Sequence, residues 1–145
     1  MRLIGMTLLV LAAPALAAQQ RQVIHTPEEV QGLPFSSAVR VGNLLFVSGQ
    51  IGNVPGTRQL ADTGIAGQTK AALENIKRIL GAGGSSLDRV VQCTVFLASF
   101  DDYAGMNTVY ASYFPSDPPA RATVAVSGLA FGARTEIECV AAAGG

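Results

Sequence analysis

Two stretches of helical periodicity, each with β-rich segments on both sides, limit what this chain can fold into more than any other feature. Across residues 62–80, Ile65, Thr69, Ala72, Leu73, Ile76 and Leu80 recur at helical spacing, and Gln68, Lys70, Glu74, Lys77 and Arg78 take the opposite side. Gly81, Gly83 and Gly84 follow; glycine reaches left-handed backbone at little cost and so ends helices. A second stripe, Tyr103, Met106, Tyr110 and Phe114, begins at a cap supplied by Asp101 or Asp102 and stops at Pro115, Pro118 and Pro119. Between and around these lie strand-like runs: Val23-Ile24, the Val39–Val41 and Leu44–Val47 pair joined by a Gly42-Asn43 turn, then residues 90–98, 120–126 and 135–142. The order is strand, strand, helix, strand, helix, strand, strand. Two helices threaded between strands can cover one sheet face only, which predicts an α+β fold whose other face is solvated or paired with another subunit.

The remaining composition narrows the function classes. The 145 residues suit one domain, and 49% are hydrophobic, enough for a packed core. Ten basic residues offset ten acidic ones with no Lys/Arg cluster, which argues against a nucleic-acid partner. Two cysteines without a CxxC spacing and one histidine, His25, predict no metal site. Arg2, an apolar run to Ala13 and the small residues around Ala15 and Ala17 read as a cleavable secretory signal over residues 1–17. The expectation is a mature domain over residues 22–142, periplasmic or secreted, with no membrane contact after cleavage.

Several polar residues stand where apolar ones would be ordinary. Period-two sorting of the last strand puts Ile137, Cys139 and Ala141 on one face and Glu136, Glu138 and Val140 on the other. In the strand before it, Val124 and Val126 oppose Arg121, Thr123 and Ala125. With the apolar sets under the helices, Arg121 and Glu138 are both expected on the uncovered face. Such a pair would serve as a salt bridge fixing subunit register, or as a guanidinium gripping a carboxylate beside an acid that orients water. Asn107 lies on the stripe side of the second helix, as a buried amide or a ligand contact. Ser48 and Gly49 end a hydrophobic strand, as a turn or as a hydroxyl and an amide presented to a ligand.

Taken in order, Gly42-Asn43-Leu44-Leu45-Phe46-Val47-Ser48-Gly49-Gln50, Ala72-Leu73-Glu74-Asn75-Ile76, Met106-Asn107-Thr108-Val109-Tyr110, Pro119-Ala120-Arg121-Ala122-Thr123-Val124 and Ile137-Glu138-Cys139-Val140-Ala141 resemble the YjgF/RidA family of reactive-intermediate deaminases. The resemblance implies a chorismate-mutase-like fold with a mixed sheet, two helices on one face, and a homotrimer with sites between subunits. It implies no organic or metal cofactor. It implies hydrolysis of 2-aminoacrylate or 2-iminopropionate to pyruvate and ammonia, with Arg121 holding the substrate carboxylate and Glu138 aiding water. Phe35, Ser48, Gly49, Asn107 and Thr123 would line the pocket. Phe35 stands where many family deaminases carry tyrosine, and Thr123 where a cysteine is common. Cys93 and Cys139 fall on strands that the family fold sets side by side; two buried free thiols are expected rather than a bridge. Two other functions remain open at this point: a trimeric scaffold that binds small carboxylates without turnover, and a ribonuclease, which the neutral charge and lone histidine oppose.

Overall fold

The computed structural model describes residues 20–144; the expected signal segment lies outside the described residues. Six strands form one sheet: β1 (Arg21–Ile24), β2 (Ala38–Val41), β3 (Leu44–Ile51), β4 (Val90–Leu97), β5 (Ala120–Ala125) and β6 (Thr135–Ala142). They run in the spatial order β1-β2-β3-β6-β4-β5. Neighbours are antiparallel except β4 and β5, which are parallel. A parallel pair needs a crossover, and α2 (Tyr103–Tyr113) supplies it. The other helix, α1 (Ile65–Ala82), joins β3 to β4. The fold is α+β, as the segment order predicts.

Local chemistry explains where the elements begin. Gly42 takes a φ of 59° in the β2–β3 turn, a conformation open to glycine at little cost. The first helix starts at Ile65 rather than at Asp62, because the Asp62 carboxylate accepts from the Gly64 amide 2.7 Å away and closes a turn just before it. Asp102 holds the N-cap position of α2, as one of the two expected, but makes no side-chain cap bond. The Ser99 hydroxyl accepts from the Asp101 amide at 3.2 Å, and Asp102 is turned inward to take the Arg134 guanidinium, Nε to Oδ2 2.9 Å.

The core lies between the helices and one sheet face. Leu45, Leu73, Ile76, Leu80, Leu97 and Ile137 are wholly buried there. Each such side chain contributes roughly 1.5–3 kcal/mol through removal from water. The opposite face has no helix and leaves large apolar residues in solvent, Phe46 at 46% and Val124 at 41% exposure.

Two expectations fail here. Arg121 and Thr123 do not share the uncovered face with Glu138. Cys93 pairs with Arg121, and Val95 with Thr123, across the parallel β4–β5 ladder, and Cys93 and Val95 are fully buried under the helices. Paired residues share a face, so Arg121 and Thr123 lie on the helix side and Val124 on the open side. Hydropathy misassigns β5 because it is an edge strand with no fully buried residue on either face. The cysteines, expected as free thiols, form a disulfide. A register shift between Val90 and Gln92 is the cause: it sets Cys93 directly opposite Cys139, Cα to Cα 4.1 Å, where an unbroken ladder would have set it opposite Glu138.

Candidate functional site

The functional side chains fall into two groups. The first surrounds a cavity of about 220 Å³ at the outer end of β3 and β6, roofed by the loop 25–37. The β3–β6 ladder shifts register between Val47 and Gln50, and this bulge holds Ser48 and Gly49. A Cβ at Gly49 would fall 2.0 Å from Glu136 Oε1, so any larger residue would push that carboxylate from its place. Glu136, Gly49 and Phe35 all line the cavity, Phe35 with 55% of its surface exposed. Ser48 binds the roof instead: its hydroxyl donates to the Ser36 carbonyl at 2.7 Å and its amide to that of Ser37 at 3.1 Å.

The roof is pinned at its other end. The Glu29 carboxylate accepts from the Ser37 amide at 3.0 Å and the Ser37 hydroxyl at 3.2 Å, and meets His25 Nδ1 at 2.7 Å. Burial pushes the Glu29 carboxyl up, but the bonds from His25 and Ser37 outweigh it and its pKa is lowered. On the floor, the buried Asn75 amide donates to the Ile51 carbonyl at 3.1 Å, tying α1 to the strand.

Three acids border this space, Glu28 and Glu29 from the roof and Glu136 from the sheet; Glu136 is the one on a strand. Burial raises its pKa above the ordinary carboxylate value, and the charge of Glu138 beside it adds to the effect. Glu138 itself is exposed on the open face and does not line the cavity. Sequence sorting puts both acids on one face, and the family resemblance points to Glu138; the structure leaves Glu138 outside the cavity and brings Glu136 to it. The ladder sets Glu138 across from the bulge and Glu136 opposite Ile51, and it is the Glu136 side chain that reaches Gly49 and the cavity.

The second group gathers at β5 and α2. The Arg121 guanidinium lies over the Tyr110 ring, 4.6 Å from its centroid, with Nη1 4.0 Å from Met106 Sδ. Among the described residues it has no acidic partner. Two hydroxyls in this region, on Tyr110 and Thr123, are buried with no hydrogen-bond partner among the described residues. Burial pushes the Tyr110 phenol up to about 12 against the opposing charge of Arg121, so it remains a donor at neutral pH. Asn107 is half-buried on α2, between Met106 and Tyr110 in the chain. A bound guanidinium with unsatisfied hydroxyls around it is a receptor for a planar anion.

These groups are not together in one protomer. Strands β6 and β5 are separated by β4, which puts Glu136 and Arg121 roughly 10 Å or more apart in the sheet and on opposite faces. Among the described residues no three His, Cys, Asp or Glu side chains are grouped to hold a metal ion, and no helix is long and apolar enough to cross a membrane.

Residues 14–143 match the family described as Endoribonuclease L-PSP. The 2-iminobutanoate/2-iminopropanoate deaminase of Homo sapiens is 42% identical over 125 residues, covering 86% of this chain and 91% of that protein. Among solved structures, RidA from the Antarctic bacterium Psychrobacter sp. PAMC 21119 superposes with a TM-score of 0.78 at 38% identity, over 83% of this chain and 98% of that one. The YjgF gene product of E. coli gives a TM-score of 0.78 at 31% identity, over 83% and 98% of the two chains.

Proposed function

Because the chain belongs to the YjgF/RidA family, described as Endoribonuclease L-PSP, we propose that it hydrolyses reactive 2-imino acids, with their enamine tautomers, to 2-oxo acids and ammonia. The observation that carries this reading is Glu136: a half-buried carboxyl at the edge of a mainly apolar cavity, its pKa raised by that burial, suits proton transfer.

In the reaction a water oxygen bonds to the imine carbon while the π pair of the C=N bond moves to nitrogen. Glu136, as carboxylate, takes a proton from that water and passes it to the nitrogen. The carbinolamine then collapses: the same carboxylate carries its hydroxyl proton to the nitrogen, the oxygen pair forms the C=O bond, the C–N bond breaks, and ammonia departs. One water is consumed for each imine, and no redox step or cofactor enters. Arg121 holds the substrate carboxylate through its fork, kept flat by Tyr110, and Thr123 and Asn107 complete that end. Ser48 and Gly49 shape the wall that lets Glu136 in, and Phe35 supplies apolar surface without a hydroxyl.

Both ends act on one small molecule only if two protomers supply them. The site is therefore assembled between subunits of a homotrimer, Arg121 from one and Glu136 from the next. The open apolar sheet face and the unpaired edge of β5 support this reading, since a long bare edge invites pairing. Export belongs to the same proposal: residues 1–17 act as a cleaved signal and the mature protein works in the periplasm or outside the cell. The Cys93–Cys139 bridge supports it, as disulfides persist in oxidising compartments. The test is turnover of 2-iminopropionate, generated in place and followed as ammonia and pyruvate release. Acceleration over the buffer rate is expected; an intact oligomer that binds pyruvate and gives no acceleration would be a binding module instead.

A further inference from the structure

The cavity extends well beyond the acid that defines the chemistry. Away from Glu136, its walls are formed by Val30, Leu33, Phe35, Ile51, Ile79 and Phe131. At about 220 Å³ it exceeds the ~150 Å³ that accommodates a benzene ring. A methyl group, all that 2-iminopropionate carries beyond its reacting atoms, would leave most of this apolar surface facing water.

Phe131 is the second observation, and it is independent of the volume. Its backbone is left-handed, φ 56° and ψ 21°, a region costly for a bulky L residue, and Gly132 follows at φ 71°. Its ring is nonetheless 51% exposed. The turn is held by Gly132 N to Leu129 O at 3.3 Å and Ala133 N to Ala130 O at 3.1 Å. Immediately after it, the Arg134 amide donates to the buried Gln68 Oε1 at 2.8 Å, and the Arg134 guanidinium is clamped by Asp102. A disfavoured backbone is thus fixed from both sides in order to present an aromatic ring at the cavity rather than in the core. Strain of this kind concentrates at ligand clamps.

We propose that this cavity is the side-chain subsite of the deaminase, that Phe131 is a specificity-determining residue, and that the substrates are 2-imino acids with branched or aromatic apolar side chains. The inference rests on the deaminase reading for turnover, but its binding half does not. The apolar walls favour hydrocarbon; of the charged groups that also border the space, Glu29 is taken up by Ser37 and His25 and Arg78 by Asn75, while Glu28 and Glu136 disfavour an acidic side chain.

Two measurements on the mature oligomer test it. Calorimetry with unreactive 2-oxo acids should give 4-methyl-2-oxopentanoate and phenylpyruvate roughly tenfold or more tighter binding than pyruvate. Imines generated in place from leucine and phenylalanine should show the same order in kcat/KM over that from alanine, carried mainly by KM. Phe131→Ala should collapse the preference, and Phe131→Tyr should keep it. Equal affinity for pyruvate and the larger oxo acids overturns the subsite, whatever the turnover. Tighter binding of 2-oxoglutarate than of 4-methyl-2-oxopentanoate would assign the cavity to Arg78 and overturn it as well. Dissociation of the oligomer by Phe131→Ala would place the ring in an interface and remove its role. Ordered binding with no turnover of any imine would leave the subsite standing and sink the deaminase reading alone.

Discussion

At the β3–β6 end of the sheet both strands have neighbours on each side, and a loop pinned by Glu29 closes the space beside them. At the other end β5 has one neighbour and a bare edge, and its polar residues face α2 with their bonding unfinished. The first region can enclose an acid and perturb it within a single protomer. The second offers a cation with no acid beside it among the described residues. Charge shows the same contrast. Glu136 is shifted by burial, whereas Arg121 presents its cation on an aromatic face. In the proposed trimer, a site divided in this way would gain water exclusion from one protomer and anion recognition from the next.

The sharpest way to break the comparison is at the acid. Glu136→Gln keeps the shape and removes the proton acceptor, so kcat should fall by about 10²–10⁴. Glu138→Gln, expected from the sequence to be the damaging change, should cost much less, and its effect should come through the loss of its charge on Glu136. Steady-state kinetics on both variants separates the two acids. In the parent enzyme the acid limb of kcat/KM should lie above the ordinary carboxylate range. Stability should move the other way. A carboxyl whose folded pKa is raised contributes stability below its unfolded value and loses it as pH rises through the folded value. Thermal melts at pH 8 should therefore show Glu136→Gln slightly more stable than the parent while far less active.

The disulfide comes next in size. It closes a loop between cysteines 46 residues apart, and the chain-entropy relation gives about 4 kcal/mol for a loop of that length. Cys93→Ala with Cys139→Ala should lower the denaturation midpoint accordingly, while leaving the order of substrates unchanged. At the edge, Arg121→Lys keeps the charge and loses the planar fork. Charged hydrogen bonds of this type are worth roughly 1.5–3 kcal/mol, so kcat/KM should drop by about tenfold to a hundredfold, with KM rising. A loss confined to kcat would mean that Arg121 does not hold the substrate carboxylate.

Much of the fold is legible in the residues, and the reasons for the failures are specific. Ile65 to Leu80 is a long apolar stripe and Gly42-Asn43 a hairpin turn, and both carry their own geometry. Phe35 and Gly49, which the family resemblance names as pocket residues, both border the cavity. Arg121, by contrast, was assigned to the wrong face because period-two sorting needs one clearly apolar side, and Ala120 to Ala125 has none. The choice of Glu138 over Glu136, and of free thiols over a bridge, both turn on register. A one-residue shift between Val90 and Gln92 decides what Cys93 meets, and another after Val47 decides which acid reaches Gly49. Register is set by partners distant in the chain, so a single strand does not reveal it. Phe131 gave no signal either, since its conformation depends on clamps at Gln68 and Asp102.

The central claim is that one protomer's Glu136 works on a substrate held by another's Arg121. Co-expression of Arg121→Ala and Glu136→Gln chains, purified as mixed trimers, tests it directly. Each variant alone should be nearly inactive. Random mixing in a cyclic trimer makes about one interface in four from an intact Arg121 and an intact Glu136, so activity should return to roughly a quarter of the parent value. If the mixed trimers stay as inactive as the two variants apart, the two residues serve the same protomer, and the divided site is wrong.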